Sequence, residues 1–147
     1  MQVRNSQFEK SLLNKIARVA NCLEREVEKE LKVSYALTFS QFRVLNGLLV
    51  LGEASQHQLA SSLDVTPAVI TRQAEVLAGR GLVLQRVNPK SKREKVLALT
   101  KKGEQAAKDA RLTVKECEAN WRGEIAAQDE AAFDRTIDIL IKLLGQD

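Results

Sequence analysis

Between Val65 and Gly103 the hydrophobic period of the chain switches, and this switch constrains the fold more than any other feature of the sequence. In "VTPAVITRQAEVLAGRG" the apolar residues Val69, Ile70, Ala74 and Leu77 recur at helical spacing and predict a buried stripe. Thr66 suits the N-cap of that helix, Pro67 its first turn, and Gly79 and Gly81 its end. The next runs, "LVLQRVN" and "KVLALT", read as strands. The five residues "PKSKR" between them, with no apolar side chain, predict the loop of a hairpin.

What surrounds this segment is helical. Residues 6–32 carry apolar side chains at Phe8, Leu12, Ile16, Val19, Leu23, Val27 and Leu31, a single thin stripe opposite a charged face. A long terminal helix of that kind packs on something outside its own compact domain. "LTFSQFRVLNGLLVLG" predicts a central helix with Ser40 as N-cap; Phe42, Val44, Leu45, Leu48, Leu49 and Leu51 make it apolar on most sides. "ASQHQLASSLD" predicts a short helix capped by Ser55, with Leu59, Ala60 and Leu63 inward. From Lys101 to Arg122 and from Asp129 to Leu144 the chain is helical again, and Phe133, Ile137, Leu140, Ile141 and Leu144 share one stripe of the last helix.

A helix, a short helix, a capped helix and a basic hairpin, in that order, make a winged helix-turn-helix. The fold class is therefore mainly α with a small β-hairpin wing. The winged helix occupies residues 35–103, and the helical ends, 1–34 and 104–147, complete one intertwined domain.

The charges fall unevenly on this frame. Residues 1–65 hold eight basic and seven acidic groups, residues 66–102 nine and two, and residues 103–147 six and ten; the balances of +1, +7 and −4 sum to the net +4. A local +7 in a nearly balanced chain points to a polyanionic partner rather than to a merely solvated face. The second helix of a helix-turn-helix lies in the major groove of DNA. Thr66, Pro67, Ala68, Thr71 and Arg72 occupy the side of helix 67–79 left for such a partner. Pro67 and Ala68 are small enough for close approach, Thr71 can bond a phosphate or a base edge, and Arg72 can fork onto guanine. The ordinary alternative for Arg72 is a surface ion pair with Glu75, three residues on. The hairpin carries Lys90, Lys92 and Arg93, and Arg93 can enter a narrow minor groove.

Taken together, "LTFSQFRVL", "QLASSLDV", "AVITRQAEVLAGRGLVLQR" and "KSKREKVLALTKKG" resemble the MarR family of bacterial transcription regulators. The resemblance covers residues 35–103 by motif and nearly the whole chain by order of elements. It implies a homodimer formed by the N- and C-terminal helices, which agrees with their thin apolar stripes. Phe8, Leu12, Ile16, Phe133, Ile137, Ile141 and Leu144 are then dimerisation residues. It also implies a palindromic operator in double-stranded DNA and a repressor released by a small-molecule or oxidant effector whose binding residues the motifs do not place. Arg72 falls at the recognition-helix arginine and Arg93 at the wing arginine. Two positions depart from the family pattern: Ser91 stands where an Asp usually braces the wing arginine, and Gln73 replaces an apolar residue.

Other classes find little footing. Cys22 and Cys117 are too far apart and too few for a disulfide framework or a metal cluster, and they fit a reducing cytoplasm. His57 is the single histidine and has no nucleophile partner, and Trp121 reads as a packing residue. With no phosphate loop, metal cluster or triad, an enzyme is not expected, nor is a cofactor or a metal. No apolar run approaches twenty residues, so no membrane span or secretory signal is expected. The remaining rival is a winged-helix module that binds protein instead of DNA.

Overall fold

The computed structural model describes residues 11–145, with the side chains of residues 92 and 93 outside that description. Its elements are helix α1 (Leu12–Tyr35), helix α2 (Phe39–Leu51), strand β1 (Ala54–Ser55), helix α3 (Gln56–Leu63), helix α4 (Pro67–Gly79), strands β2 (Val83–Asn88) and β3 (Ser91–Leu99), and helices α5 (Lys101–Arg122) and α6 (Ala127–Leu144). The strands form one antiparallel sheet in the order β1-β3-β2. This is the mainly helical fold with a small wing that the sequence predicts. No described helix is long and apolar enough to cross a membrane.

Several boundaries differ from expectation. Helix α1 continues to Tyr35 rather than stopping at 32, and Ala36 then turns the chain in the left-handed region at φ 53°. The cap of α2 is Thr38, not Ser40. Thr38 Oγ1 accepts from the Gln41 amide while Gln41 returns a bond to the Thr38 amide, each at 3.1 Å. A reciprocal box needs Gln or Glu three residues after the cap, which Thr38 has in Gln41 and Ser40 lacks in Arg43. Ser55 caps α3 through the same kind of box with Gln58, as expected. Helix α6 begins at Ala127, two residues before Asp129.

The expected five-residue hairpin loop is a two-residue turn, Pro89–Lys90, because residues 91–93 belong to β3. Asn88 makes the tight turn feasible: its Oδ1 accepts from the Lys90 amide at 2.9 Å. Strand β1, too short to leave a sequence pattern, pairs Ala54 with Leu97 and Ser55 with Val96.

The chain divides into two compact units, one ending at Val114 and one beginning at Lys115. In the first, Leu31, Leu37, Leu45, Leu48, Leu59, Ile70, Leu77 and Leu97 are fully buried. Each contributes about 1.5–3 kcal/mol by leaving water. In α4, Ile70, Ala74 and Leu77 form the inner stripe, but Val69 lies 38% exposed, because one residue off the stripe is a rotation of about 100° away. Leu51 is exposed and Leu63 half-buried, both expected inside. In the second unit, Arg122 grips Asp134 with two bonds of 2.9 and 3.0 Å and Glu130 with one of 3.0 Å, and Trp121 meets Phe133 edge-on at 6.4 Å. Helix α6 itself has no buried residue.

The terminal stripes are only partly covered. On α1, Val27 and Leu31 are buried, whereas Leu12, Ile16 and Val19 are exposed. On α6, Phe133, Ile141 and Leu144 are exposed, and Ile137 is half-buried. Phe8 lies outside the described residues.

Candidate nucleic-acid interface

Helices α3 and α4 meet through Asp64–Thr66. Asp64 takes the left-handed region at φ 52°, and the Val65 amide donates to Ala60 O at 3.0 Å, which closes α3. Thr66 then turns extended to start α4, and Pro67 occupies the first turn. Unlike Thr38 and Ser55, Thr66 makes no side-chain cap bond. Pro67 has no amide hydrogen, and the Val69 and Ile70 amides donate to Thr66 O at 3.0 and 3.4 Å, so the positive end of the helix dipole is met by backbone and by no side-chain acceptor.

Pro67, Ala68 and Arg72 are exposed along α4, as the sequence predicts. Thr71 is half-buried instead: its hydroxyl donates back to Pro67 O at 3.0 Å and lies 3.5 Å from Gln56 Oε1. Its bond to the backbone leaves only an acceptor side for an outside donor. Arg72 forms no ion pair with Glu75, and among the described residues it has no partner.

The nine cations of the basic segment separate by geometry. Four serve the fold. Arg80 reaches back to the end of α1, where its guanidinium donates to Ala36 O at 2.8 Å and Tyr35 O at 3.0 Å. Arg86 pairs with Glu53 at 3.0 Å. Lys95 donates to Gln85 Oε1 at 3.3 Å, and Lys102 to Arg80 O at 3.2 Å. Arg72, Lys90 and Lys101 are exposed and unpaired among the described residues. Lys92 and Arg93 lie on β3, and their side chains are not described.

One acidic group is built into the same surface. Glu94 accepts from Asn88 Nδ2 at 3.0 Å. Its carboxyl is held below the usual carboxylate range chiefly by the nearby Ser55 side chain; burial opposes this, and Asn88 and the neighbouring His57 lower it further. Sequence reasoning misses this cluster. The only local sign is Asn88 followed by Pro89, a turn signature. His57 is exposed beside Glu94, Cys22 is exposed with Arg25 Nη2 at 3.4 Å from its sulfur, and Cys117 is half-buried.

Comparison with known proteins agrees with this geometry. The model of the MarR family matches residues 37–95. YwoH of Bacillus subtilis, an uncharacterised HTH-type transcriptional regulator, is 26% identical over 137 residues, which span 93% of this chain and 98% of YwoH. Among solved structures, the Staphylococcus aureus MepR–DNA complex superposes with a TM-score of 0.82 at 15% identity, covering 91% of this chain and 98% of that one. PcaV of Streptomyces coelicolor, solved with its natural ligand, superposes with a TM-score of 0.80 at 19% identity, covering 97% and 98%.

Proposed function

We propose that the chain, whose residues 37–95 match the model of the MarR family, is a homodimeric, sequence-specific DNA-binding transcription regulator of that family and not an enzyme. The observation that carries this reading is the sorting of its cations. Arg80, Arg86, Lys95 and Lys102 are tied to the fold, while Arg72 on α4 and Lys90 at the wing turn stand exposed and unpaired among the described residues. In this reading α4 enters the major groove, where Thr66, Pro67, Ala68, Thr71 and Arg72 meet bases and phosphates. Lys90, Lys92 and Arg93 follow the adjacent minor groove.

The exposed Leu12, Ile16, Phe133, Ile141 and Leu144 supply apolar surface for a second copy. Two copies present two α4 helices, and an operator with two-fold symmetry places its half-sites about 34–36 Å apart. The regulator acts in the cytoplasm as a repressor. A small-molecule or oxidant effector releases it by binding better to a state in which that spacing is lost. The complex of PcaV with its natural ligand supports an effector of this kind.

The test is retention of sheared genomic DNA from the source organism by the purified protein, followed by sequencing, at two salt concentrations. Wild type should enrich a few palindromes. Arg72→Ala should relax specificity, with a loss of about 1–3 kcal/mol on the preferred site. Lys90→Ala should weaken binding evenly and lower the salt slope by about one. Absence of retention at low salt would overturn the reading in favour of a protein-binding module.

A further inference from the structure

We propose that Glu94 is a positioning residue of the wing: through Asn88 it fixes the Pro89–Lys90 turn on β3, so that this acidic side chain strengthens DNA binding. The inference rests on the DNA-binding reading above and adds a residue to it that charge alone would class as unfavourable.

The backbone ladder is irregular just below the wing tip. Val87 pairs with Lys95 and Asn88 with Ser91, so the register shifts between Val87 and Asn88. The side chains supply what the ladder lacks. Asn88 is bonded on both sides: its Nδ2 donates to Glu94 at 3.0 Å, and its Oδ1 accepts from the Lys90 amide at 2.9 Å. Glu94 lies on β3 two residues before Val96, the residue that pairs with Ser55. Ser55 is itself firmly placed. It is 8% exposed, pairs with Val96 on β3, and exchanges two bonds with Gln58 at 2.9 and 3.1 Å. A path thus runs from the capping box of α3 across the Ser55–Val96 strand pair, along β3 to Glu94, and through Asn88 to the amide of Lys90.

The two roles open to Glu94 predict opposite signs. A carboxylate beside a polyanion repels it, and removing the charge should tighten binding and steepen the salt slope by about 0.9. A brace acts on order. Without it the turn is mobile in the free protein, and binding must then immobilise it, which lowers affinity by about ten-fold.

The experiment uses the full-length chain as wild type, Glu94→Ala, Glu94→Gln and Asn88→Ala. It measures amide hydrogen exchange of residues 88–94 in the free protein and anisotropy titration of a labelled duplex recovered in the genomic retention above. Thermal unfolding checks that each variant is folded. Glu94→Ala and Asn88→Ala should each exchange the Lys90 amide faster and bind about ten-fold more weakly. Glu94→Gln keeps an acceptor oxygen while losing the charge, and should restore slow exchange and bind at least as tightly as wild type. Tighter binding by Glu94→Ala, or unchanged exchange at Lys90, would overturn the proposal. If wild type binds no duplex at low salt, the DNA reading fails and the positioning role fails with it. Accelerated exchange in Glu94→Ala would then show that the brace exists without that role, which separates the two failures.

Discussion

Gly103 lies so close to Leu82 that a Cβ at position 103 would stand 1.8 Å from the Leu82 carbonyl oxygen. That oxygen also accepts from the Thr100 amide at 3.1 Å, and the Thr100 hydroxyl accepts from the Gly103 amide at 2.9 Å. The start of α5 is thereby clamped on the residue that leads into β2. The obstructing group is backbone, so no rotamer change relieves the contact. Gly103→Ala should cost about 3 kcal/mol or more, read as a lower urea midpoint at unchanged slope. A midpoint within error of wild type would mean that α5 does not dock here in solution. Gly79, where an added Cβ would meet nothing within 4 Å, is the matched control.

The first turn of α2 offers a test of which hydroxyl caps it. Thr38→Ala removes the acceptor of the Gln41 amide, and Gln41 then loses its reciprocal role. The expected loss is about 1 kcal/mol. Ser40→Ala, inside the first turn, should change stability by less than about 0.5 kcal/mol. Equal losses, or a larger one for Ser40→Ala, would contradict the assigned cap.

Local signals are legible in the sequence and long-range ones are not. Ser55, Pro67 and the strand-like run "LVLQRVN" announce their elements because caps and strand composition act over a few residues. Thr38 is open to the same logic, since its Gln41 partner sits three residues on, whereas a preference for Ser40 overlooks the box. Strand β1 cannot be seen: two residues carry no period, and its pairing with Val96 and Leu97 is a tertiary fact. The polar composition of "PKSKR" hides a two-residue turn, because Ser91, Lys92 and Arg93 are strand residues with no apolar alternation to mark them. The basic segment is visible as a charge sum, but its division is not. Arg80 finds Tyr35 and Ala36 at sequence separations of 45 and 44, and Arg86 finds Glu53 across 33.

Acid should weaken this fold in a defined window. Four carboxyls are held below their usual range: Glu28 by Lys32 and the Phe39 amide, Glu94 by Ser55, Asn88 and His57, Glu104 by Lys108, and Asp134 by Arg122. A depressed folded value means that the fold favours the ionised form. The stabilisation is therefore fully present above the unfolded value of about 4 and is lost as pH falls through it toward the folded values. Each group is solvent-accessible, so each contribution is small and the four act together. The urea midpoint should be level from about pH 7 to 5 and fall below about pH 4. Glu28→Gln should flatten part of that fall. A midpoint independent of pH down to about 3 would exclude these pairs as stabilising contacts.

The uncovered stripe of α1 gives the sharpest test of self-association. Ile16 is 43% exposed in line with Leu12 and Val19, on the helix whose later turns bury Val27 and Leu31. One stripe therefore changes from covered to uncovered along its length. An isoleucine gains about 1.5–3 kcal/mol on leaving water, and a glutamate forced into the same interface loses its hydration unpaired. Ile16→Glu should convert a dimer into a monomer in sedimentation velocity at micromolar concentration. Val33→Glu, at an 81% exposed position off the stripe, should leave the dimer intact. The DNA consequence follows from linkage. Two half-sites held by one dimer share an effective concentration, and separating the copies should lower operator affinity by about 10²–10⁴-fold while leaving binding to a single half-site unchanged. An Ile16→Glu protein that remains dimeric would move the interface away from this stripe. A wild-type protein that is already monomeric would remove the two-fold operator from the proposed function.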